Sequence, residues 1–285
     1  MRYIFLSLLF IVSLDGLSAV VPEQSGEFRD VNEGGFRAHL YLPAGHGPFP
    51  VLIAIGGSEG GFITGDAFGR MFVSEGIAVL GVAYFGVEGL PPAIDRIPIE
   101  YFESAIDYLE QQSVIDSRRI AIVGGSKGSE LTLLLSSMDS RIRAVCALVP
   151  SNVVWQSARL LNRPTSSWTW HGQPLPFVPY KGDIMPATKR IADLFELSLQ
   201  NRTAVDAAYI PVEKINGPIL LISATHDEIW PSKLMSEQIV RRLAEKRYSF
   251  GVEHLNYDTG HGFSAELAPE VNAKIIAFFK RQLLD

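Results

Sequence analysis

The chain has a single cysteine, Cys146, among its 285 residues. An intramolecular disulfide needs two cysteines, so no disulfide can hold this fold together. Cys146 lies in the apolar run IRAVCALVP, and nothing around it would activate a thiol, so we expect it to be a buried core residue. Stability must come from a hydrophobic core, which a content of 47% hydrophobic residues allows.

The chain also lacks a block of basic residues. It carries 25 lysines and arginines against 31 aspartates and glutamates, a formal net charge of −6. Nucleic acids and anionic membrane surfaces attract cationic patches, so neither is an expected partner. The expected partner is a small molecule, and the composition predicts no particular oligomeric state.

Long apolar runs are missing except at the N-terminus. There one positive residue precedes an apolar run and then several small residues, namely Arg2, Tyr3–Leu14, Gly16, Ser18 and Ala19. This layout predicts a signal peptide over residues 1–19, cleaved after Ser18 or Ala19, and therefore export to the periplasm or the medium. The run is short for a membrane span, so no integral span is expected after cleavage. The alternative is an uncleaved N-terminal anchor.

Residues 20–285 alternate between apolar β-like runs and helical patterns. The predicted strands are Arg37–Leu42, Val51–Ile55, Ala78–Ala83, Ile120–Val123, Ala144–Val149, Ile219–Ser223 and Phe250–Leu255. The predicted helices are Asp66–Ser74, Glu100–Gln111, Gly128–Ser137, Pro231–Leu243 and Pro269–Leu284. Several strands are continuously apolar, which suits a sheet buried on both faces. The alternation predicts one three-layer α/β domain with a mostly parallel sheet.

Residues 151–216 interrupt this alternation. They hold three of the four tryptophans, Trp155, Trp168 and Trp170, together with several prolines. Such an insertion in a compact α/β domain is usually a lid or a binding loop, and this one follows a central strand, near the edge where ligands bind. We predict a lid whose Trp168 and Trp170 contact an apolar or aromatic acyl group. The alternative is a packing cluster over a sheet edge.

The segment GGSKG at residues 124–128 fits the Gly-x-Ser-x-Gly nucleophile elbow. The strand-like RIAIVGG leads into it and the helical SELTLLLSSM follows it. Glycines two positions before and after the serine let a strand and a helix approach closely around a strained turn. Ser126 is therefore the candidate nucleophile.

A serine hydroxyl needs a base, and the base needs an orienting acid, in the chain order Ser, Asp or Glu, His. Asp227 is the first acid after the apolar strand PILLISA, so we favour it over its neighbour Glu228. Two histidines follow. His254 falls within a predicted strand, where a structural role is expected, whereas His261 lies in the glycine-flanked loop YDTGHGF. The predicted triad is Ser126, Asp227 and His261.

The oxyanion formed in such a reaction needs two backbone donors. The amide of Lys127, directly after the nucleophile, is one candidate. The glycine loop IGGSEGGF offers the other, with Gly57 and Ser58 as alternatives. This loop has neither the ending of a P-loop nor the spacing of a dinucleotide fingerprint. The predicted chemistry uses no metal and no cofactor.

Several segments in order, PFPVLIAIGGSEGGF, GIAVLGVAYFGVEGLPP, IAIVGGSKGSELTLLLSS, PILLISATHDEIWPS and HLNYDTGHGF, carry a family resemblance. Over nearly all of residues 35–285 the chain resembles the C-terminal catalytic domain shared by acyl-CoA thioesterases and bile acid-CoA:amino acid N-acyltransferases. The resemblance implies an α/β-hydrolase fold, with dienelactone hydrolases as neighbours, and it matches Ser126, Asp227 and His261 to the triad positions. The acyltransferase branch has cysteine at the elbow, so the serine favours hydrolysis.

Fuller members of that family carry a β-rich N-terminal domain; we expect none here, because the first predicted strands lead directly into the hydrolase core. Acyl-CoA is a cytoplasmic metabolite, so an exported member is expected to accept other acyl esters or thioesters. We therefore predict a serine hydrolase that cleaves acyl thioesters or esters through an acyl-enzyme. The alternatives are an exported carboxylesterase or dienelactone-hydrolase-like enzyme, and a non-catalytic binding protein on the same fold. A degenerate copy should have lost a triad residue or an elbow glycine, and this sequence retains them all.

Overall fold

The computed structural model describes residues 27–157, 164–181 and 191–285, so the predicted signal peptide over residues 1–19 lies outside the described residues. The strands are β1 (Glu27–Val31), β2 (Arg37–Leu42), β3 (Phe49–Ile55), β4 (Ala78–Ala83), β5 (Ile97–Pro98), β6 (Ile115–Gly125), β7 (Ile142–Leu148), β8 (Trp168–Trp170), β9 (Gln173–Pro174), β10 (Ile219–Ala224) and β11 (Val252–Tyr257). The helices are α1 (Ile63–Phe72), α2 (Glu100–Gln111), α3 (Lys127–Met138), α4 (Ile191–Ser198), α5 (Arg202–Ala208), α6 (Ser232–Glu245) and α7 (Ala268–Leu283). None of these helices is both long enough and apolar enough to cross a bilayer.

Eight strands form one sheet in the order β1-β2-β4-β3-β6-β7-β10-β11. The pairs β1–β2 and β2–β4 are antiparallel, and every pair from β4 to β11 is parallel. The carboxyl ends of β3, β6, β10 and β11 therefore lie along the same edge of the sheet. In open α/β sheets this edge is where ligands bind. The predicted triad and oxyanion residues all lie in the loops or helix starts that directly follow these four strands.

Strand β3 illustrates why the parallel strands read as continuous apolar runs. Val51, Ile53 and Ile55 pack into one core with α2, α3 and α6, whereas Leu52 and Ala54 pack into a second core with α1 and α7. Successive side chains of a strand point to opposite faces, so a strand covered on both faces has no polar alternation. The predicted three-layer α/β architecture, with helices on both faces of a mostly parallel sheet, is confirmed.

Cys146, in the centre of β7, is fully buried. Burial raises the pKa of its thiol, because the apolar core disfavours the thiolate. The prediction of a core cysteine is confirmed.

All the predicted strands and helices are present, although several of their ends differ. The elements that the sequence patterns did not reveal are β1, β5, β8, β9, α4 and α5. Strands β5, β8 and β9 have only two or three residues, too few side chains to display a period of two. Strand β1 is mostly exposed and so presents no apolar face, and α5, with seven residues, is only about two turns long.

The segment predicted to be a lid, residues 151–216, contributes β8, β9, α4 and α5. Strands β5, β8 and β9 form a second, small sheet, in which β8 pairs parallel with β5 and antiparallel with β9. Ile97 lies opposite Trp168 in this sheet. The middle of the segment is therefore bound to the connection between β4 and α2.

Candidate active site

Ser126 occupies the turn between β6 and α3, with φ and ψ of 52° and −121°. This combination is strained for a residue with a side chain, and such strain is common at functional sites. The Ser126 amide donates to the Leu148 carbonyl at 3.0 Å, which fixes the turn on the neighbouring strand. A Cβ on Gly124 would lie 2.5 Å from the Gly128 carbonyl oxygen, and one on Gly128 would lie 2.6 Å from the Ile55 carbonyl oxygen. Glycine is therefore required at both positions for β3, β6 and α3 to pack this closely.

The structure brings Ser126, His261 and Asp227 into contact at the carboxyl edge of the sheet. His261 Nε2 lies 2.8 Å from Ser126 Oγ, and His261 Nδ1 lies 2.7 Å from Asp227 Oδ1. The three residues are only 7%, 4% and 8% exposed, respectively for Ser126, His261 and Asp227. A hydroxyl, an imidazole and a carboxylate in such a chain can activate the hydroxyl as a nucleophile.

The carboxylate of Asp227 is fixed by its own loop. Its Oδ1 also accepts hydrogen bonds from the amides of Ile229 (3.1 Å) and Trp230 (3.2 Å). The Trp230 indole donates to the Val149 carbonyl at 3.0 Å, and its ring packs edge-on against the His261 ring, with centroids 5.8 Å apart. Trp230 is not among the predicted site residues; its position three residues after the predicted acid is the sequence signal that could have indicated it.

The less favoured alternatives for the acid and the base, Glu228 and His254, have other partners. Glu228 Oε2 accepts a hydrogen bond from the His261 amide at 2.9 Å, so it holds the backbone of this histidine. His254 Nε2 lies 2.7 Å from Ser223 Oγ, and burial lowers the pKa of His254 below its ordinary value. The side chains that reach Ser126 directly or through the imidazole are thus His261 and Asp227.

The predicted oxyanion donors flank Ser126. Lys127 is the first residue of α3, so its amide has no carbonyl four residues earlier in the helix to bind. Among the described residues, no backbone carbonyl outside the helix accepts from this amide. On the opposite side, a Cβ on Gly57 would lie 3.2 Å from the Ser126 Cβ, which shows how closely the glycine loop passes the nucleophile.

The amide of Gly57 is already engaged. It donates to Glu59 Oε1 at 2.9 Å, and the Thr64 hydroxyl donates to the same oxygen. Of the two predicted alternatives, Gly57 and Ser58, the N–H of Gly57 is therefore occupied, because the Glu59 side chain two residues later accepts it. Ser58, the predicted alternative, is exposed, and its amide takes no part in the hydrogen bond that engages Gly57.

Trp168 is fully buried, and its placement corrects the prediction of an acyl contact from a lid. Its ring lies 5.9 Å from that of Tyr84 and 6.3 Å from that of Phe102, centroid to centroid. Its indole nitrogen donates to Glu130 Oε1 at 2.7 Å. Composition and position identified an aromatic segment, but they do not indicate whether a given indole packs into the core or faces a bound acyl group. Trp170 is half-buried against the same core, and its contact with an acyl group stays a prediction.

A cavity of about 390 Å³ lies beside the loop that follows β10. Its walls include Asp227, Glu228, Pro231 and Glu237. It therefore reaches the acid side of the site, whereas neither Trp168 nor Trp170 lines it.

Comparisons with a family model and with curated proteins both relate the chain to one family. Residues 97–284 match the family described as BAAT / Acyl-CoA thioester hydrolase C terminal. The chain is 32% identical over 230 residues to acyl-coenzyme A amino acid N-acyltransferase 2 of Mus musculus, covering 78% of this chain and 50% of the relative. It is 30% identical over 214 residues to mitochondrial acyl-coenzyme A thioesterase 2 of Mus musculus, covering 75% of this chain and 45% of the relative. The chain thus spans about half the length of the curated relatives it matches.

Among solved structures, the α/β hydrolase GrgF from Penicillium sp. superposes on 91% of this chain and on 100% of its own, with a TM-score of 0.61 and 18% identity. At that identity the likeness concerns the fold alone, which is the α/β-hydrolase fold.

Proposed function

Since the chain belongs to the family described as BAAT / Acyl-CoA thioester hydrolase C terminal, we propose that it hydrolyses acyl thioesters or esters through an acyl-enzyme formed on Ser126. The observation that carries the proposal is the hydrogen-bonded chain from Ser126 Oγ through His261 to Asp227, built on a strained elbow. Curated relatives include acyl-CoA thioesterases, which supports this class of reaction.

In the proposed mechanism Ser126 Oγ attacks the acyl carbonyl carbon while His261 Nε2 takes the hydroxyl proton. The tetrahedral intermediate expels the thiol or alcohol, which receives that proton from His261. Water then attacks the acyl-enzyme, giving its proton to His261, which returns it to Ser126 as the acid leaves. Asp227 holds the Nδ1–H of His261, which keeps Nε2 free to act as the base, and stabilises the imidazolium.

The negative charge that develops on the carbonyl oxygen needs donors that are already in place. We assign one to the Lys127 amide, at the positive end of α3, where the helix dipole adds to the attraction. We assign the second to the Ser58 amide, because Glu59 accepts the N–H of Gly57.

A non-catalytic binding protein is the less favoured function, because such a protein has no need of a strained serine within hydrogen-bond distance of a carboxylate-bound imidazole. An oxoester hydrolase of the carboxylesterase or dienelactone-hydrolase type shares every step above. It differs only in the leaving group, so the choice between ester and thioester rests on measurement.

The test compares an oxoester and a thioester that share one acyl chain, over short, medium and aromatic acyl groups. Alcohol release and thiol release are measured for the wild type and for Ser126→Ala. We expect turnover by the wild type only. Turnover of no substrate in the series, or equal turnover by the two proteins, would contradict the proposal.

We also propose that the protein is exported, on the pattern of Arg2 and the apolar run after it. The N-terminal sequence of the protein recovered from the periplasm or medium of expressing cells should start near Val20. A protein that retains residues 1–19 would favour an N-terminal anchor instead.

A further inference from the structure

One carboxylate beside the nucleophile is fully buried and plays no part in the mechanism above. Glu130, in the first turn of α3, is 0% exposed. Both of its oxygens lie 2.7 Å from Lys127 Nζ, and the Lys127 side chain is only 12% exposed. Burial raises the pKa of the Glu130 carboxyl and lowers that of the Lys127 ammonium, whereas their mutual attraction acts the other way.

The same carboxylate binds two points of the segment that follows β7. Glu130 Oε1 accepts hydrogen bonds from the Trp168 indole nitrogen at 2.7 Å and from the Trp155 amide at 3.3 Å. The Lys127 ammonium lies 5.6 Å from the centroid of the Trp168 ring, within the range of a cation–π contact. Glu130 thus joins the first turn of α3 to two buried tryptophans that lie 25 and 38 positions further along the chain.

The contacts continue to the opposite side of the nucleophile. Trp168 packs against Tyr84, and the Tyr84 hydroxyl donates to the Gly56 carbonyl at 2.9 Å, with the Gly57 carbonyl 3.3 Å away. Gly56 and Gly57 begin the loop that passes beside Ser126. A continuous set of contacts therefore runs from Glu130 to both proposed sources of oxyanion donors, the start of α3 and the glycine loop.

Stability alone does not account for a buried ion pair at this place. Removing two charges from water is costly, and replacing a buried ion pair by apolar residues of similar volume is often neutral or stabilising. What the pair provides is geometry, because a carboxylate with defined donors has one favoured arrangement, while an apolar contact tolerates several.

We propose that Glu130 is a positioning residue of the active site: its carboxylate fixes the first turn of α3 and, through Trp168 and Tyr84, the glycine loop, and so holds the two oxyanion donors at the separation that the reaction requires. The inference rests on the proposed hydrolase function. Glu130 does not touch the reacting atoms.

The test replaces the pair by apolar side chains of similar length, in the double variant Lys127→Met/Glu130→Met. We expect the variant to unfold at a somewhat lower urea concentration than the wild type, because the Trp168 indole N–H and the Trp155 amide lose their buried acceptor, although no charge is left unpaired. We expect kcat to fall by about 10- to 100-fold, the usual consequence of small misplacement, with KM changed less than about threefold. An unchanged kcat in this folded variant would overturn the inference.

A second variant covers the case in which the double variant does not fold. Trp168→Phe removes the indole N–H that donates to Glu130, together with the pyrrole part of the ring, and keeps a six-membered aromatic ring against Tyr84. We expect kcat to fall about three- to tenfold at nearly constant KM, whereas an unchanged kcat would again overturn the inference.

The control is the ion pair of Arg242, in α6, and Glu213, which precedes β10; its two hydrogen bonds are both 2.7 Å long, and it is more exposed than the Lys127–Glu130 pair. Arg242→Met/Glu213→Met should leave kcat unchanged. An equal loss of kcat in this control would show a general effect of removing ion pairs and would contradict a specific role for Glu130. Failure of the proposed function is distinguishable, because the wild type itself would then turn over none of the esters and thioesters.

Discussion

The His261 amide donates a hydrogen bond to Glu228 Oε2, 2.9 Å away. The residue next to the proposed acid thus holds the backbone of the proposed base, while Asp227 holds its ring. Two consecutive carboxylates of one loop therefore fix the same histidine at two points, and this loop follows a strand adjacent to the one that precedes His261.

This contact predicts the behaviour of Glu228 variants. Glu228→Ala should lower kcat by about tenfold, because the His261 loop loses its acceptor while ring and acid stay intact. Glu228→Gln keeps an oxygen that can accept from the amide and should retain most of the activity. Steady-state kinetics on the best ester substrate measures both, and equal activity of the two variants would contradict the role.

Replacing the acid itself should have a far larger effect. In Asp227→Asn the negative charge that stabilises the imidazolium is lost, and kcat should fall by about 10³- to 10⁴-fold. The fold should be kept, since an asparagine oxygen can still accept from the Ile229 and Trp230 amides. Kinetics together with urea unfolding checks this, and a loss as small as that of Glu228→Ala would argue against Asp227 as the acid.

The second oxyanion donor can be identified at one position. Ser58→Ala keeps the backbone N–H and should leave kcat within about twofold, whereas Ser58→Pro removes it and should lower kcat by about 10²-fold or more. The comparison is valid if the urea midpoint of unfolding of both variants equals that of the wild type. If the two variants have the same kcat, the Ser58 amide is not a donor. The alternative donor is then the Gly57 amide, which Glu59 would have to release when substrate binds.

His254 should affect stability and its dependence on pH, but not catalysis. Its pKa in the folded state lies below the ordinary value of 6.5, mainly because burial disfavours the imidazolium. The unfolded chain therefore takes up the proton first as the pH falls, and stability is lost below about pH 6.5. In His254→Gln this part of the loss should disappear while kcat remains near that of the wild type. Urea unfolding at pH 8 and pH 5.5 measures the difference, and an abolished kcat would instead identify His254 as the base.

The sequence was most informative where chemistry imposes a local pattern. Glycines around Ser126 and the order of serine, acid and histidine led to the three side chains that the structure brings together, because parallel strands place the residues after their carboxyl ends at one edge. The continuous apolar runs predicted the main sheet because its parallel strands are buried on both faces, as the side chains of β3 show.

The sequence was least informative where the structure depends on contacts between residues far apart in the chain or on the conformation of one side chain. Trp168 was assigned to a lid because an aromatic, proline-rich segment gives no indication that its indole binds a carboxylate 38 positions earlier. No sequence pattern singles out Glu130, a charged residue in a helix whose residues 128–137 are all buried. The choice between the Gly57 and Ser58 amides depends on one side-chain conformation of Glu59, which no spacing rule predicts.

The central claim is that Ser126 is an activated nucleophile. Labelling with a fluorophosphonate probe, followed by mass spectrometry of the modified peptide, tests it directly, because the probe reacts with serines made nucleophilic by a neighbouring base. We predict rapid modification of the wild type at Ser126, slow modification of His261→Ala and none of Ser126→Ala. Equal labelling of wild type and Ser126→Ala, or no labelling of the folded wild type, would contradict the account.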